Sequence, residues 1–281
     1  MTAPRSTIAL TGVTGTIGGL VLARIGELEP VVVVRDASRA PSGFEARVAE
    51  HGDADACRAA FAGVDALLLV SASESPTRRR EHATAIAAAA AAGVRHVVYT
   101  SFQGAAADAT FTLGRDHHAA EEALRASGMA WTFLRDSLYQ ESLVRFADAE
   151  GVIRGPAGDG RLAVVSRVDV ADVAAAVLRD PDAHAGATYT LTGPDAPTIT
   201  EAVARASAAS GASLRFEDET IESAYAWRRA QWGAEQWQLD AWVSTYTAIA
   251  DGSLAETTDD VERITGRRAR SIEETLSPLL G

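Results

Sequence analysis

The segment Thr11-Gly12-Val13-Thr14-Gly15-Thr16-Ile17-Gly18-Gly19 carries three glycines at a spacing of three, directly after the apolar run Ile8-Ala9-Leu10. Such residues can bind phosphate through the backbone. Gly12 permits a sharp strand-to-helix turn, Gly15 keeps a Cβ away from an approaching diphosphate, and Gly18 lets the following helix pack close to a sheet. The helix start then offers unpaired N–H donors and a partial positive charge. Gly12, Thr14, Gly15, Thr16, Ile17 and Gly18 are therefore expected to hold a dinucleotide, whereas the same glycines without a strand and helix around them would make only a tight turn. Arg35 ends the second apolar run, where an acidic side chain would bond a ribose 2′-hydroxyl and an arginine accommodates a 2′-phosphate. NADP(H) is thus the preferred coenzyme and NAD(H) the second candidate; the competing role for Arg35 is a surface pair with Asp36. Asp53, in His51-Gly52-Asp53, is expected at the adenine edge, and Ser71 and Ala72 along the groove outside the strand ends.

These groups must be carried by an α/β fold. In the first half, short β-rich runs alternate with Ala-rich stretches, which is the pattern of βαβ units and a mostly parallel, doubly wound Rossmann-type sheet. Strands are expected at Thr7–Thr11, Val31–Arg35, Ala46–Glu50, Ala66–Ser71, His96–Ser101 and Trp131–Arg135. Helices are expected at Ile17–Glu27, Asp55–Ala62, Thr77–Ala92 and Asp116–Ser127, and the interval from Asp36 to Glu45, broken by Pro41 and Gly43, is too short for a full crossover helix. Continuous apolar runs such as Val31-Val32-Val33-Val34 fit strands covered on both faces. Beyond residue 150 the texture changes. A turn-rich stretch at Gly151–Gly160 precedes a helix at Asp169–Arg179 capped by an Asp side chain, a strand at Thr188–Thr192, a helix at Thr200–Ser210 and a strand near Leu214–Glu217. Residues 1–150 are read as a dinucleotide-binding core and 151–281 as a smaller substrate lobe interwoven with it.

Composition bounds the partners. The 281 residues carry 38 acidic against 26 basic side chains, a net charge of −12, and every basic one is Arg. A surface of that sign repels nucleic acid, and Arg78-Arg79-Arg80 reads as a solvated helix start. The lone Cys57 fits a small core residue in a reducing cytoplasm. Thr11-Gly12 interrupts the N-terminal apolar run before it could act as a secretion signal, and the Ala-rich run Ala83–Val94 is too short to cross a bilayer, so no membrane partner is expected. A homodimer is compatible with the sequence.

Thr11-Gly12-x-Thr14-Gly15-x-Ile17-Gly18, Arg35, Tyr99-Thr100-Ser101 after Gly93-Val94-Arg95-His96, His117 with Glu121, and Leu134-Arg135-Asp136-Ser137-Leu138-Tyr139-Gln140-Glu141 together resemble the NmrA-like atypical short-chain dehydrogenases/reductases. Within them the chain is most similar to the NAD(P)H:quinone oxidoreductase and triphenylmethane reductase branch. The resemblance runs from about Thr7 to Tyr189 and fades in the Trp-rich tail. It implies a Rossmann core with a smaller C-terminal lobe, reduced coenzyme over the sheet edge and substrate in the cleft between the parts. By position, Ser71, Ala72 and Ser73 would border the middle of the coenzyme. Thr100, Ser101, Asp136, Ser137 and Leu138 would lie near the nicotinamide, and Tyr139, Gln140 and Glu141 near the substrate. Ala72 departs from the family, whose members tend to carry Ser there.

The absence of Lys excludes the Tyr-x-x-x-Lys dyad of the larger superfamily. Reduction of an ordinary ketone makes a strongly basic alkoxide that needs a tuned acid beside it, whereas hydride addition to a quinone or related conjugated acceptor gives a delocalised, weakly basic anion. The reading is therefore direct hydride transfer from NADPH to a small aromatic or conjugated acceptor, with water, Tyr139 or His117 as proton donor. A non-catalytic redox sensor, or an imine or enone reductase of a biosynthetic pathway, is the competing reading. His117 and Glu121 share a helix face, which suits either an oriented imidazole or a structural pair. Tyr139 suits either a donor or a packed aromatic. Neither His117-His118 nor His51 with Asp53 makes a convergent ligand set, so no metal is expected. Trp227, Trp232, Trp237 and Trp242, five residues apart, cannot form one helical stripe; they suit a pocket wall or core packing, with Gly233 breaking the segment.

Overall fold

A computed structural model describes residues 6–277. Nine strands are present among them: β1 Ile8–Thr11, β2 Val31–Val34, β3 Ala46–Val48, β4 Ala66–Leu69, β5 His96–Phe102, β6 Ala130–Asp136, β7 Val152–Gly155, β8 Ala187–Leu191 and β9 Arg215–Asp218. Seven form one sheet in the order β3-β2-β1-β4-β5-β6-β8. The pairs β1–β2, β1–β4, β2–β3 and β4–β5 are parallel, with Ala9 opposite Val31 and Leu67. All four residues of β1, β2 and β4 are buried, as a parallel sheet covered on both faces requires. The helices are α1 Thr16–Ile25, α2 Ala54–Ala60, α3 Arg78–Ala92, α4 Thr112–Ala126, α5 Ser142–Arg145, α6 Arg167–Arg179, α7 Ile199–Ser210, α8 Ile221–Trp232, α9 Gln236–Ala250, α10 Asp260–Thr265 and α11 Ile272–Leu276. None of the described helices is long and apolar enough to span a membrane.

The chain divides into two units of similar length, and the division differs from the expected one at residue 150. The first unit runs to Ser101 and adds Asp116–Arg135 and Val170–Tyr189; the second comprises Phe102–Arg115, Asp136–Asp169 and the chain from Thr190 onward. Each has its own core. In the first, Phe61, Leu67, Leu69, Ile86, Val97, Tyr99 and Phe133 pack together with Cys57, whose buried thiol donates to the Glu50 carbonyl at 3.2 Å. In the second, Phe102, Leu143, Ile153, Leu162, Val203, Tyr246 and Ile249 form the cluster.

Three local expectations need correction. The stretch Gly151–Gly160, expected to be turn-rich, contains β7, which pairs in parallel with β9; a four-residue strand that itself ends in Gly155 gives too short a pattern to see. Helix α6 starts two residues before the expected Asp169 cap. Its first N–H groups are accepted by the Glu141 carboxylate (3.1 Å) and the Ser166 hydroxyl (3.2 Å), while Asp169 instead holds the Arg270 side chain and accepts its N–H at 2.7 Å. Arg78 is not solvated: only 4% of it is exposed, while Arg79 beside it stays open. Gly233 does end α8, in the left-handed conformation, and the indoles of Trp232 and Trp242 then meet edge to face at 5.2 Å.

Candidate active site

In the first unit, a cavity of about 500 Å³ opens at the ends of β1, β2 and β4. Thr11, Gly12, Thr14 and Gly15 form one wall, Arg35 and Arg39 one end, and Ser71, Ala72 and Ser73 the facing edge. The backbone explains the glycines separately. Gly12 has φ +68°, and a Cβ there would lie 2.9 Å from the Val70 Cβ; a Cβ on Gly18 would lie 2.3 Å from the Gly12 carbonyl oxygen. Gly15 caps α1 without a side-chain hydrogen bond, and no acidic residue stands in the first turn. The helix therefore presents its N-terminal donors and its positive end without an acid in its own first turn, and these residues fit a diphosphate.

At the end of β2, Asp36 does not pair with Arg35. Its carboxylate accepts the Ser38 N–H (2.9 Å) and hydroxyl (2.7 Å), contacts that hold it below the usual carboxylate range. Arg35 has no carboxylate partner among the described residues, and Arg39, one short 3₁₀ turn later, brings a second guanidinium to the same cavity. Asp53 does not line the cavity; its carboxylate caps α2 through the Ala56 N–H at 3.0 Å, and Glu50 and His51 occupy the wall instead. Burial pushes the His51 imidazole below its ordinary range.

The facing edge is held by side chains. Thr11 accepts the Val70 N–H (2.9 Å), Thr100 the Ser71 N–H (2.8 Å) and His82 Nε2 the Ala72 N–H (2.9 Å), while Arg78 Nε donates to the Ala72 carbonyl (2.9 Å). Both polar groups of the Ala72 backbone are thus gripped from α3. A strand end so pinned presents a preformed surface to a ligand. Ser101, also expected near the nicotinamide, instead donates to the fully buried Glu121 at 2.6 Å, and Arg135 grips the same carboxylate through two bonds of 2.8 and 2.6 Å.

His117 is therefore not oriented by Glu121. Its Nε2 lies 2.9 Å from the Arg78 guanidinium, and its Nδ1 lies 3.1 Å from the Tyr99 hydroxyl. Arginine only donates, so Nε2 accepts and the ring proton sits on Nδ1, facing Tyr99. Burial, with Arg78 and His82 nearby, drives the His117 pKa well below its ordinary value, and burial first and Arg78 second lower that of His82 to about 3. Both rings are neutral at ordinary pH. His117 thus bridges the Arg78 guanidinium and the Tyr99 hydroxyl.

The second unit contains the segment Asp136 to Glu141. Tyr139 is half-buried, and its hydroxyl lies 2.8 Å from Asp136 Oδ2. Burial raises the Asp136 carboxyl to about 8, against the lowering effect of the Tyr139 hydrogen bond, and burial also raises Tyr139 well above a normal phenol. Asp136 Oδ1 and the Ser137 hydroxyl are buried without a hydrogen-bond partner among the described residues. Leu138 packs on the second core. Gln140 and Glu141, expected on the substrate, are engaged in the fold: Gln140 donates to the Arg270 carbonyl at 2.8 Å, and Glu141 holds the start of α6 and pairs with Arg167 at 3.5 Å.

Arg39, Glu50, His51, Arg78 and His82 were not marked by the sequence. Arg39 alone had a signal, a second arginine four residues after Arg35; Arg78 and His82 become site residues only because α3 crosses the end of β4.

A glycine turn feeding an uncapped helix, on a sheet of this strand order, defines a dinucleotide-binding protein of the Rossmann type. The NAD(P)H-binding family matches residues 12–181, and the chain belongs to that family. It is similar to quinone oxidoreductase 2 of Escherichia coli, with 31% identity covering 97% of this chain and 98% of that one. It is 34% identical to (4-alkanoyl-5-oxo-2,5-dihydrofuran-3-yl)methyl phosphate reductase of Streptomyces griseus, over 95% of each. The crystal structure of Citrobacter sp. triphenylmethane reductase complexed with NADP(H) superposes with a TM-score of 0.84 at 29% identity, covering 96% of this chain and 99% of that one.

Proposed function

We propose that this protein is an NADPH-dependent reductase that transfers hydride directly to a small, conjugated, electron-poor acceptor such as a quinone. The observation that carries the coenzyme half is the uncapped start of α1, with no acid in its first turn, beside the guanidinium groups of Arg39 and of Arg35, whose expected partner Asp36 bonds Ser38 instead. The helix start binds the diphosphate, Arg35 and Arg39 bind the 2′-phosphate, and the pinned Ser71-Ala72-Ser73 edge orients the middle of the coenzyme. When bound, the coenzyme would supply hydride, one proton together with two electrons.

The acceptor half rests on the relatives and on one chemical fact. The names of two relatives specify a quinone and an alkanoyl-oxo-dihydrofuran, both electron-poor conjugated systems. This chain has no Lys to tune a tyrosine for alkoxide protonation, and an acceptor whose reduced form is a weak base does not need one. Positioning and a few hydrogen bonds then carry most of the catalysis. The dihydrofuran reductase favours a second reading, reduction of an enone. We place the protein in the cytoplasm, acting without nucleic acid or membrane.

The test is purified protein with NADPH and a panel of benzoquinones, naphthoquinones and enones. Multiple turnover of quinones supports the first reading, and turnover of enones alone favours the second. Tight coenzyme binding with no consumption across the panel would refute both and leave a redox sensor.

A further inference from the structure

Asp53 is spent on the cap of α2, which leaves the purine base of the coenzyme without the acid expected beside it. Covalent connectivity says where that base must lie. It is bonded to the ribose carbon next to the one that carries the 2′-phosphate, so it sits close to the end of the cavity marked by Arg35 and Arg39. Two further side chains reach the cavity there, His51 just past β3 and Glu81 in the first turn of α3. The two segments are in contact, because a Cβ on Gly52 would lie 3.6 Å from Glu81 Cγ. His51 feels the charges of both Glu81 and Arg35, which puts the three groups in one corner.

Glu81 is held by one oxygen and open at the other. Its Oε1 accepts the Thr77 hydroxyl and, at 3.2 Å, the Ser75 hydroxyl, both from the turn that leads into α3. Its Oε2 bonds nothing among the described residues, and the His51 ring likewise has no hydrogen-bond partner among them. A carboxylate oxygen only accepts, so an open one at a cavity wall suits a donor on the ligand. The donors that NADPH brings to this corner are the amino group of adenine and a ribose hydroxyl. The flat His51 ring beside Glu81 favours the base, since purines stack on imidazole as they do on other aromatic rings.

We propose that Glu81 reads the purine, its open oxygen accepting the amino group of adenine while the His51 ring lies alongside the base. The inference rests on the coenzyme half of the proposed function. It makes the site selective against a base with an oxo group in place of the amino group. In hypoxanthine that oxo oxygen is an acceptor facing another acceptor. The ring N–H of hypoxanthine lies on the neighbouring atom, and reaching it would require the whole base to slide.

The test compares the Kd of NADPH with that of its hypoxanthine analogue, by calorimetric titration of wild type, E81Q and E81A. Wild type should bind NADPH about tenfold tighter, the change made by one charge-assisted hydrogen bond from a partly exposed group. An amide can turn either its oxygen or its NH2 to the base, so E81Q should bind the two coenzymes within about twofold of each other. It should also bind the hypoxanthine analogue about fivefold tighter than wild type does. E81A should lose the preference as well, with no gain from a new hydrogen bond. A purely structural role for Glu81 would weaken both coenzymes together and leave their ratio unchanged.

A wild type that binds both coenzymes alike, or prefers hypoxanthine, overturns the proposal without recourse to any variant, so misfolding of E81Q cannot mask that result. Variants that keep the wild-type ratio overturn it too. If wild type binds neither coenzyme, the dinucleotide site itself falls and the purine contact with it; tight binding of both without preference removes the Glu81 contact alone.

Discussion

Replacing Arg35 by Ala removes one of two guanidinium groups at the end of the coenzyme cavity without disturbing a visible ion pair. Arg35 is exposed, so its attraction to a phosphate is partly screened. Two unit charges about 4 Å apart interact by roughly 1 kcal/mol in water and roughly 4 kcal/mol near a protein surface, and a charge-assisted hydrogen bond contributes about 1.5–3 kcal/mol. A loss of about 2 kcal/mol is expected for NADPH, roughly 30-fold in Kd. NADH lacks the 2′-phosphate and should change by less than about twofold. Arg39→Ala should behave alike, and the double variant should lose less than the sum because both guanidinium groups share one phosphate. Calorimetric titration of both coenzymes at about 0.1 M salt, repeated at about 0.5 M where screening is stronger, measures the selectivity. Equal losses for NADPH and NADH, or no loss for either, would refute the assignment of these arginines to the 2′-phosphate.

Other perturbations test separate links. Gly18→Ala puts a Cβ 2.3 Å from the Gly12 carbonyl oxygen; overpacking of this kind costs about 1–3 kcal/mol, and the displaced turn should abolish coenzyme binding in a fluorescence titration even where circular dichroism shows a folded protein. Glu121→Ala leaves Arg135 and Ser101 without their buried carboxylate; a loss of about 3–5 kcal/mol is expected from urea unfolding, and a cost below about 1 kcal/mol would show that the cluster carries little stability. His82 has a folded pKa of about 3 against 6.5 when unfolded, so the unfolded chain takes up a proton that the folded one refuses. Stability should fall as pH drops from about 6.5 toward 3, and His82→Gln, which can still accept the Ala72 N–H, should flatten that fall in Tm. Equal slopes in both proteins would show that another group governs the acid limb.

Much of the fold was legible because local chemistry and global structure agree. Val31 to Val34 and Leu67 to Leu69 are apolar at consecutive positions because helices cover both faces of the sheet. The glycine turn was legible for a related reason: the left-handed backbone at Gly12 and the 2.3 Å approach at Gly18 admit no side chain, so the constraint is written in residue type. Arg35 belongs with them, since its place at a strand end follows from counting along the chain.

Long-range placement was not legible. Nothing local to Arg78 says that it is buried and bonded to His117 while Arg79 is solvated. His117 and Glu121 share a helix face in any reading, yet partners up to 39 residues away in sequence decide that one meets Arg78 and Tyr99 and the other Ser101 and Arg135. Asp53 and Asp36 are acids near a nucleotide site by sequence and helix caps by structure. Burial raises the Asp136 carboxyl to about 8, a property no residue type carries. Residue type alone determined the backbone path that grips phosphate, because steric exclusion acts between near neighbours. Only the tertiary structure decided which polar side chains are consumed by the fold and which keep a proton or a charge to use, because desolvation and hydrogen bonding depend on what the distant chain brings alongside.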